Sequence, residues 1–403
     1  MRVLSLFDGM ACGKIAMQLA GIEVESYDAY EIDKYAIKTA QHNFPMIKEH
    51  GDVFDADFTQ YEGVDFLIGG SPCTYWSIAQ TKNRETVASG IGWELFSQYV
   101  RALHEAKPKY FIYENNKSMS KDIRASIDEA FGFEAVLINS ALVSAQNRQR
   151  LYWAGKRNED GTYSKVNVEQ PADRGILLKD VLDSAEPVHG MGNDKKSRTL
   201  TANYWKTNVR DAFVDYAGGR TMVAEPINTD ANGKAFCVTS RYYKGFGNNP
   251  GKCLEKHRDS MIAEPINVPH DCDVVITENF IRCQRRDKKY STVQGSHVNF
   301  TDWKTQTLPP SHIPNVIEHK SGKKYPVYEV RNGLITIKGK QYPIKLQDGY
   351  YIIRKMTVRE CMRLQTVPEW YEFPVSDSQA YKMLGNGWTC EVIAHILKSL
   401  KEA

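Results

Sequence analysis

The sequence has no Cys-x-x-Cys pair and no apolar run long enough to span a membrane. Its eight cysteines are scattered, at positions 12, 73, 237, 253, 272, 283, 361 and 390. Closely spaced cysteine pairs mark structural zinc sites and disulfide frameworks. Because this chain has no such pair, we predict no bound metal. The alternative is a zinc site among the four irregularly spaced cysteines between residues 237 and 283. No signal-peptide pattern follows Met1. We therefore expect a cytoplasmic protein with reduced cysteines and no membrane association.

The chain also lacks a strong net charge, because 52 Lys and Arg residues nearly balance 49 Asp and Glu residues, which leaves +3. The charge is unevenly distributed, since residues 186–345 hold 25 Lys and Arg against 16 Asp and Glu, a net charge of +9. The rest of the chain holds 27 against 33, a net charge of −6. A basic segment in an otherwise acidic chain indicates a polyanionic partner, with a solvated lysine-rich surface as the alternative.

The dinucleotide fingerprint Gly-x-Gly-x-x-Gly is absent as well, which argues against a nicotinamide dehydrogenase. In its place, the first apolar segment leads into residues 7–13, Phe-Asp-Gly-Met-Ala-Cys-Gly, whose small side chains would let a ligand approach the backbone at a helix N-terminus. Glu31 follows about twenty residues later, the usual distance for a carboxylate that holds ribose hydroxyls. Asp52 could accept a hydrogen bond from an adenine amino group. Together these residues indicate a nucleoside cofactor without a pyrophosphate, namely S-adenosylmethionine.

Apolar runs alternate with helix-like stretches through residues 1–155. The predicted strands are Val3–Phe7, Val24–Tyr30, Val64–Ile68, Tyr110–Tyr113, Ala135–Ile138 and Leu151–Ala154. The predicted helices are Gly13–Ala20, Lys34–Asn43, Gly92–Glu105 and Lys121–Phe131. This order is typical of an α/β protein with a doubly wound, mostly parallel sheet and helices on both faces.

The alternation ends near residue 156, where Gly, Asn, Pro and Lys become frequent and short β-like segments replace helices. A weak internal repeat occurs here, because Ala224–Asn228 recurs as Ala263–Asn267 and Leu200–Lys206 is echoed by Val238–Lys244. A helical pattern returns near residue 350. It predicts a helix over Thr357–Leu364 with Thr357 as the cap, a glycine turn over Leu384–Trp388, and a helix over Glu391–Leu400.

Cys73 carries the strongest functional signal. It follows the apolar run Val64–Ile68 and ends the turn Gly69-Gly70-Ser71-Pro72-Cys73. In open α/β sheets, ligands gather beyond the carboxyl ends of the strands, so a cysteine here lies at the edge of a cleft, where its thiolate could act as a nucleophile. A small buried cysteine without chemistry is the alternative.

Three charged residues are placed beside other strands. Glu114 comes at the end of the strand 110–113, where a carboxylate could hydrogen-bond a heteroaromatic ring; a helix cap or surface acid is the alternative. Arg148 and Arg150 precede the next strand at positions i and i+2, so on an extended segment both would face one pocket; a pair of solvated cations is the alternative.

With these residues in place, the chain resembles the DNA (cytosine-5) methyltransferase family. The matching motifs occur in the family's order: Phe7-Asp8-Gly9, Glu31, Gly51-Asp52-Val53, Gly70-Ser71-Pro72-Cys73, Glu114-Asn115, Gln146-x-Arg148-x-Arg150, Arg359-Glu360-Cys361-x-Arg363-Leu364-Gln365 and Gly385-Asn386-Gly387. They cover residues 1–155 and about 350–403, on either side of a large variable insertion.

The resemblance implies transfer of a methyl group from S-adenosylmethionine to carbon 5 of a flipped-out cytosine in double-stranded DNA, through a cysteine adduct at carbon 6. Cys73 would be the nucleophile. Glu114 would hold the ring nitrogen and amino group of cytosine, and Arg150 would meet the ring carbonyl, with Arg148 bracing the pocket. The cofactor would contact Phe7, Asp8, Gly9, Ala11, Cys12, Gly13, Glu31, Ile32, Asp52, Val53, Pro72, Asn386 and Gly387.

The chain departs from the family's common pattern at three places. It has Ala11-Cys12 where the family often has Gly-Gly, Thr74 where a Gln often follows the catalytic Cys, and Asn116 as the third residue of the Glu-Asn-Val motif. None of these changes removes a chemical group that the reaction requires. They leave the shape of the cofactor pocket and the contacts of residue 74 open.

DNA contacts are expected from two parts of the chain. The stretch Thr74–Ile91 would be a mobile loop that closes over the flipped base. The basic segment would read DNA in the major groove. The predicted contact residues are Ser77, Gln80, Lys82, Arg84, Thr199, Tyr204, Arg241, Tyr242 and Lys244.

We therefore predict a Rossmann-like catalytic and cofactor-binding domain at 1–185, an inserted, largely β or irregular target-recognition domain at 186–345, and a C-terminal segment at 346–403 that returns to the catalytic domain. We expect a monomer that acts on double-stranded DNA, with a cognate restriction enzyme as a further candidate partner. Three alternatives remain: a tRNA methyltransferase of the same fold, an enzyme that uses a modified cofactor, and an inactive DNA-binding protein. The long basic insertion favours duplex DNA over tRNA, and an inactive protein would be expected to lack Cys73, Glu114 or one of the arginines.

Overall fold

The computed structural model describes residues 1–77, 84–183, 186–187, 196–209, 213, 221–226, 272–276, 281–285, 290–292, 316–318, 323–344 and 346–403. The chain divides into two compact units. The first is formed by Met1–Pro187, Met191–Met222 and Lys355–Ala403, and the second by Val188–Gly190 and Val223–Arg354. The first unit thus includes residues 191–222, which the predicted division assigned to the basic domain. The functional division itself stays a prediction.

In the described residues, the first unit holds a sheet of eight strands. They are β1 (Arg2–Leu6), β2 (Ser26–Tyr30), β3 (Lys48–Glu49), β4 (Phe66–Gly69), β5 (Tyr110–Asn116), β6 (Val136–Asn139), β7 (Gln149–Arg157) and β8 (Tyr163–Lys165). Their order is β3-β2-β1-β4-β5-β7-β6, and β8 pairs with β7. Strands β1 to β5 pair in parallel, whereas β7 is antiparallel to its neighbours. The predicted α/β fold with a mostly parallel sheet is confirmed.

The helices of the first unit include two that begin and end at the predicted residues. The described helices are α1 (Cys12–Leu19), α2 (Lys34–Asn43), α3 (Ile91–Ala106), α4 (Lys121–Phe131), α5 (Val358–Leu364), α6 (Asp377–Asn386) and α7 (Cys390–Glu402). Helices α2 and α4 match their predicted bounds because a polar cap precedes each: Asp33 accepts from the Tyr35 N–H, and the Ser120 hydroxyl accepts from the Ile123 N–H. Thr357 caps α5 in the same way, as the sequence predicts.

The strand order reverses between β1 and β4, which is the switch point of this doubly wound sheet. In such sheets the crevice at the reversal, beyond the carboxyl ends of the strands, is where ligands bind. The loop after β1 begins at Phe7 and the loop after β4 begins at Gly70, so both leave the sheet at this edge. The fold therefore brings the 7–13 stretch and the segment that carries Cys73 to one crevice.

An aromatic core holds β5 in place. All seven residues of this strand are buried. The ring of Tyr113 packs against Tyr99 and Trp153, with centroids 4.9 and 5.6 Å away, and Phe96 and Phe131 complete the cluster. Burial of several large rings at one strand contributes several kcal/mol, on the order of 2 kcal/mol for each. Glu114, which follows Tyr113 in β5, is thus attached directly to the aromatic core.

The predicted glycine turn at Leu384–Trp388 is only partly a turn. Gly385 and Asn386 belong to the last turn of α6, a helix that the sequence pattern did not indicate. Gly385 is required there by close packing, because a Cβ on it would lie 2.2 Å from the carbonyl carbon of Thr201. Helix α7 follows and packs against α1. The C-terminal residues therefore contact the first helix of the sheet domain.

The second unit is built from antiparallel strands in its described residues. Its strands, numbered after the short strand β9 (Glu186–Pro187), are β10 (Val223–Pro226), β11 (Cys272–Ile276), β12 (Ile281–Arg285), β13 (Tyr290–Thr292), β14 (Val316–Glu318), β15 (Lys324–Arg331), β16 (Leu334–Ile337), β17 (Lys340–Pro343) and β18 (Gly349–Arg354). Strands β17, β16, β15, β18 and β10 lie side by side, β14 pairs with β15, and β11 to β13 form a separate sheet. The repeat copies at 238–244 and 263–267 lie outside the described residues. In the described part of the chain, no helix has the length and apolar character needed to cross a membrane.

Candidate active site

Cys73 lies just beyond the carboxyl end of β4. The strand ends at Gly69, and three residues lead into a single 3-10 turn, Cys73–Tyr75. Cys73 is partly exposed, whereas Trp76 is fully buried. The indole Nε1 of Trp76 donates to Glu85 Oε2 at 3.0 Å, which anchors the turn. The thiol is therefore held on a fixed support and can still be reached from the crevice.

Glu114 lies in β5, next to β4, and only 9% of it is exposed. Its two carboxylate oxygens have different partners: Arg150 Nε lies 3.0 Å from Oε1, and Trp388 Nε1 donates to Oε2 at 2.9 Å. Gly70 packs so closely on this residue that a Cβ at Gly70 would lie 2.7 Å from the Glu114 carbonyl oxygen and 3.1 Å from Oε2. The segment that leads to Cys73 and the carboxyl group of Glu114 are therefore direct neighbours.

The two arginines have different surroundings, although their spacing predicts one shared pocket. Arg150 binds Glu114, whereas Arg148 is 3% exposed and bonds main-chain carbonyls. Its Nη1 donates to Leu200 O at 3.0 Å, and its Nη2 lies 2.8 Å from Gly387 O and 3.1 Å from Gly385 O. Arg148 thus ties the start of β7 to the end of α6 through its two Nη atoms, while its buried Nε has no partner among the described residues.

Electrostatics link Arg148 to the other three predicted catalytic residues. Burial, and then the charge of Arg150, lower the pKa of Arg148 to about 10, while its electrostatic interactions with Glu114 and Cys73 oppose that shift. Arg148 therefore remains protonated at neutral pH. Cys73, Glu114 and Arg150 all lie close enough to Arg148 for their charges to act on it, so the four residues form one cluster.

The turn at residues 7–13 is tied to the end of β2. Phe7, Gly9 and Ala11 have φ angles of 59°, 62° and 61°. The Gly9 N–H donates to Glu31 Oε2 at 2.8 Å, and Glu31 Oε1 accepts from two main-chain N–H groups of its own segment. Gly13 lies in α1 against the sheet, where a Cβ would be 2.3 Å from Ile68 Cδ1. These contacts hold the turn and the Glu31 carboxylate in one fixed arrangement.

Three carboxyl groups, those of Asp8, Glu31 and Glu49, interact around this turn. Asp8 Oδ1 accepts from the hydroxyls of Ser5 and Tyr27, whereas its buried Oδ2 has no partner among the described residues. Burial and the charge of Glu31 raise the pKa of Asp8 to about 6. Burial and the charges of Asp8 and Glu31 raise the pKa of Glu49 to about 8, and neither oxygen of Glu49 has a partner in the described structure.

This surplus of acidic groups provides a test for the expected cofactor. S-adenosylmethionine carries positive charge on its sulfonium and on its amino group. A buried acceptor without a partner, beside two further carboxyl groups, suits a ligand that brings positive charge into the crevice. The residues present therefore fit S-adenosylmethionine.

The remaining predicted cofactor residues lie on several elements. Asp52 caps the 3-10 turn Val53–Asp55, accepting from the Phe54 N–H at 3.0 Å, and Val53 is buried. Ile32 is 73% exposed beside Glu31, so its side chain is free to cover a ligand, and Pro72 is also exposed.

The C-terminal residues contact the 7–13 turn from the other side. Asn386 is exposed at the end of α6. A Cβ at Gly387 would lie 3.0 Å from Cys12 Sγ, and the Tyr371 hydroxyl donates to Met10 O at 2.6 Å. The segment around Gly387 therefore lies directly against the turn that the sequence assigns to the cofactor.

The predicted DNA-contact residues lie in different surroundings, and their contacts with DNA stay a prediction. Ser77 is partly exposed, and Arg84 Nη2 donates to Ser118 O at 2.7 Å, so Arg84 fixes one end of the predicted loop to the protein. Thr199 is partly exposed and bonds Asn147 O. Tyr204 does not fit the prediction: it is 2% exposed, and its hydroxyl donates to Thr221 O and accepts from the Met356 N–H, so it belongs to the core. Gln80, Lys82, Arg241, Tyr242 and Lys244 lie outside the described residues.

Two residues of this region have no counterpart in the sequence-based prediction. Trp388 directly follows the Gly385-Asn386-Gly387 motif, which indicates that it lies near the cofactor residues. Nothing in the sequence shows that its indole reaches Glu114. Glu49 lies in the two-residue strand β3, which is too short to be recognised from periodicity. In the described residues, no group of three or more His, Cys, Asp or Glu side chains is placed to hold a metal ion.

We expect Glu49→Gln to stabilise the protein without cofactor, and to do so more at pH 9 than at pH 5. The folded wild-type protein holds the Glu49 proton up to about pH 8, whereas the unfolded chain releases it near the ordinary value of 4.5. The free energy of unfolding therefore falls as the pH rises from 4.5 to about 8, and Gln removes this loss. We expect a gain of about 1–2 kcal/mol at pH 9, after a discount for partial exposure. Denaturant unfolding at both pH values measures it. The exposed Glu23→Gln is the control, and equal gains for E49Q at both pH values would contradict the shift.

Comparison with known proteins agrees with the resemblance seen in the sequence. A model of the family described as C-5 cytosine-specific DNA methylase matches residues 1–402. The chain is 26% identical to the orphan methyltransferase M.SPRI of Bacillus phage SPR, over 99% of this chain and 97% of the relative. It is 23% identical to the type II methyltransferase M.BanI of Aneurinibacillus aneurinilyticus, over 99% and 95%.

Two solved structures share the fold at low sequence identity. The S. pombe Dnmt2 methyltransferase is 12% identical with a TM-score of 0.51, over 100% of this chain and 98% of that one. The Entamoeba histolytica methyltransferase EhMeth is 11% identical with a TM-score of 0.52, over 100% and 98%. The predicted Rossmann-like methyltransferase fold is confirmed.

Proposed function

The chain belongs to the C-5 cytosine-specific DNA methylase family, and we propose that it transfers a methyl group from S-adenosylmethionine to a flipped-out cytosine through a covalent adduct of Cys73. That the enzyme is a DNA cytosine-5 methyltransferase follows from the family. The finer assignment of residues rests on one observation above all: the Glu114 carboxyl group, bound by Arg150 Nε at 3.0 Å, packs against Gly70 of the segment that leads to Cys73.

Covalent catalysis explains why a cysteine is needed. Carbon 5 of cytosine is too weak a nucleophile to take a methyl group directly. Addition of the Cys73 thiolate to carbon 6 forms a C–S bond and moves the ring electrons towards carbon 5, which can then form the new C–C bond. Loss of the carbon-5 proton and departure of the thiolate restore the aromatic ring. The guanidiniums of Arg148 and Arg150 give the site positive charge while the thiolate reacts.

Glu114 and Arg150 would hold the target ring. Negative charge moves onto the ring during addition, and a carboxyl group at the ring nitrogen, with a guanidinium at the ring carbonyl, stabilises it. The reacting carbon is shielded in a duplex, so the base has to be flipped out at a cost of a few kcal/mol. The pair is 11% and 15% exposed at its side chains, which gives the ring a largely desolvated surface to bind.

S-adenosylmethionine supplies the methyl group when bound. Glu31 would hold the ribose, and Asp52 and Val53 the adenine edge, with Asn386 and Gly387 at the methionine end. Asp8 has the buried oxygen without a partner that a cationic ligand would satisfy. The basic balance of residues 186–345 supports duplex DNA as the substrate. The names of the relatives differ between orphan and type II enzymes, so a restriction partner stays an expectation.

Base-resolution mapping of 5-methylcytosine tests this function directly. The full chain is expressed in cells that have no cytosine-5 methylation, and their DNA and RNA are both analysed. We expect 5-methylcytosine in DNA at one defined sequence context. Methylation found in RNA alone would overturn the DNA substrate, and methylation at cytosine N4 would overturn the Cys73 adduct.

We expect Gly70→Ala to lower kcat by about 10-fold to 100-fold. A Cβ at this residue would lie 2.7 Å from the Glu114 main-chain oxygen, so either the Cys73 segment or β5 has to move, and misplacement of about 1 Å costs rate on this scale. Single-turnover methyl transfer measures the loss. Gly349→Ala is the matched control, because its Cβ would have an ordinary contact, 3.5 Å from Tyr351 Cε2. If the G70A enzyme keeps the wild-type kcat, close packing between the Cys73 segment and β5 is not required for methyl transfer.

A further inference from the structure

Residues 385–388 contact both halves of the site. At one end, a Cβ on Gly387 would lie 3.0 Å from Cys12 Sγ of the 7–13 turn. At the other, Trp388 Nε1 donates to Glu114 Oε2 at 2.9 Å. Between them, Arg148 binds the carbonyls of Gly385 and Gly387. This short segment is thus fixed at several points, and Trp388 projects from it to the carboxyl group.

Trp388 completes the set of donors around Glu114. Arg150 Nε occupies Oε1, and without Trp388 the other oxygen would have no donor from a side chain among the described hydrogen bonds. A carboxylate held by one donor can still rotate about its last torsion, whereas donors on both oxygens fix its plane. An indole N–H can only donate, so it holds the acceptor Oε2 and sets where this oxygen points.

We propose that Trp388 is a positioning residue that fixes the plane of the Glu114 carboxyl group for recognition of the target ring. This inference rests on the proposed function, since it assigns Glu114 to the ring. Each carboxyl oxygen has two lone pairs, so Oε2 can keep the Trp388 bond while it faces the base. Trp388 follows the predicted cofactor residues Asn386 and Gly387 directly, so the segment that meets the cofactor also orients the group that meets the base.

Trp388→Phe tests the inference because it removes the N–H donor and keeps an aromatic ring. We expect kcat for methyl transfer to fall by about 10-fold, the loss typical of one hydrogen bond to a charged group. Cofactor affinity should stay near the wild-type value, because the N–H serves Glu114 and not the cofactor.

The chain offers a matched control in Trp153→Phe. Trp153 Nε1 donates to Asp128 Oδ1 at 2.7 Å, so this variant loses the same kind of bond in the core of the first unit. We expect W153F to lower the melting temperature and leave kcat unchanged. If W153F lowers kcat as much as W388F does, the effect of Trp388 is structural and the proposal is wrong.

A double-mutant cycle with Glu114→Gln decides whether Trp388 acts through Glu114. We expect W388F to cost about 10-fold in the wild-type background and less than about 3-fold in the E114Q background. Equal losses in both backgrounds would overturn the inference. A wild-type enzyme without methyl transfer would instead overturn the proposed function, so the two failures can be told apart.

Discussion

Replacement of Cys73 by Ala is expected to reduce methyl transfer by at least about 10³-fold, because it removes the thiol that is assigned to add to carbon 6. The thiol is partly exposed on an anchored turn, so its loss leaves no large cavity. Cofactor binding should persist, since the Cys73 side chain is not among the groups assigned to the cofactor. Isothermal titration with S-adenosylmethionine and single-turnover transfer measure the two properties separately.

The covalent step has its own test. A duplex whose target cytosine carries fluorine at carbon 5 cannot lose a proton there, so an adduct formed with the enzyme should persist. We expect the wild-type protein to form a denaturation-resistant complex with this DNA in the presence of S-adenosylmethionine, and C73A to form none. Cys361→Ala is the matched control: Cys361 is fully buried in α5, so its loss should cost stability and leave the complex intact. An adduct formed by C73A would assign the nucleophile elsewhere.

Most strands and helices of the sheet domain could be predicted from the sequence, because the signals that mark them are local. The bounds of α2 and α4 follow from polar caps next to apolar periodicity, and the cleft follows from glycine-bounded strand ends. The resemblance then placed Cys73, Glu114, Arg148 and Arg150, and the structure shows them to be one cluster. The i, i+2 spacing of the two arginines predicts a shared face, but it says nothing about which donors are taken by distant carbonyls, and the roles of both residues stay a prediction.

What the sequence could not provide is contact between remote segments. The Trp388 indole reaches Glu114 across 274 positions, and the burial of Tyr204 depends on its packing against Tyr381 and its bond to Met356. Glu49 acquires its shifted pKa from Asp8 and Glu31, which lie on other elements. Helix α6 was overlooked because its Gly385-Asn386 end reads as a turn, and close packing on Thr201, not chain reversal, is the reason for the glycine. Each of these properties depends on contacts between segments that are far apart in the sequence.

Replacement of Glu114 by Gln is expected to reduce kcat by about 10²-fold to 10⁴-fold, the usual effect of losing a group that exchanges or stabilises a proton in the transition state. Gln keeps the size of Glu and can still accept from Arg150, but it cannot stabilise charge on the ring in the same way. It also leaves the guanidinium of Arg150, 15% exposed, without its counter-charge. We expect a loss of about 1–3 kcal/mol in the free energy of unfolding for that reason.

Asp128 is bound by the same kinds of side chain as Glu114, an indole and an arginine. It can therefore serve to separate the effect of the substitution on turnover from its effect on stability. Asp128 Oδ1 accepts from Trp153 Nε1 at 2.7 Å, and its Oδ2 lies 3.5 Å from Arg124 Nε, just as Glu114 is bound by an indole and an arginine. Asp128→Asn should therefore also lower the free energy of unfolding, by less than E114Q does because Arg124 is 41% exposed and 3.5 Å away, and leave kcat within about 2-fold of wild type. If both variants lose stability while only E114Q loses turnover, the rate effect belongs to recognition of the ring. If E114Q retains more than a tenth of the wild-type kcat, the carboxyl group at residue 114 does not stabilise the transition state, and its ion pair with Arg150 is structural.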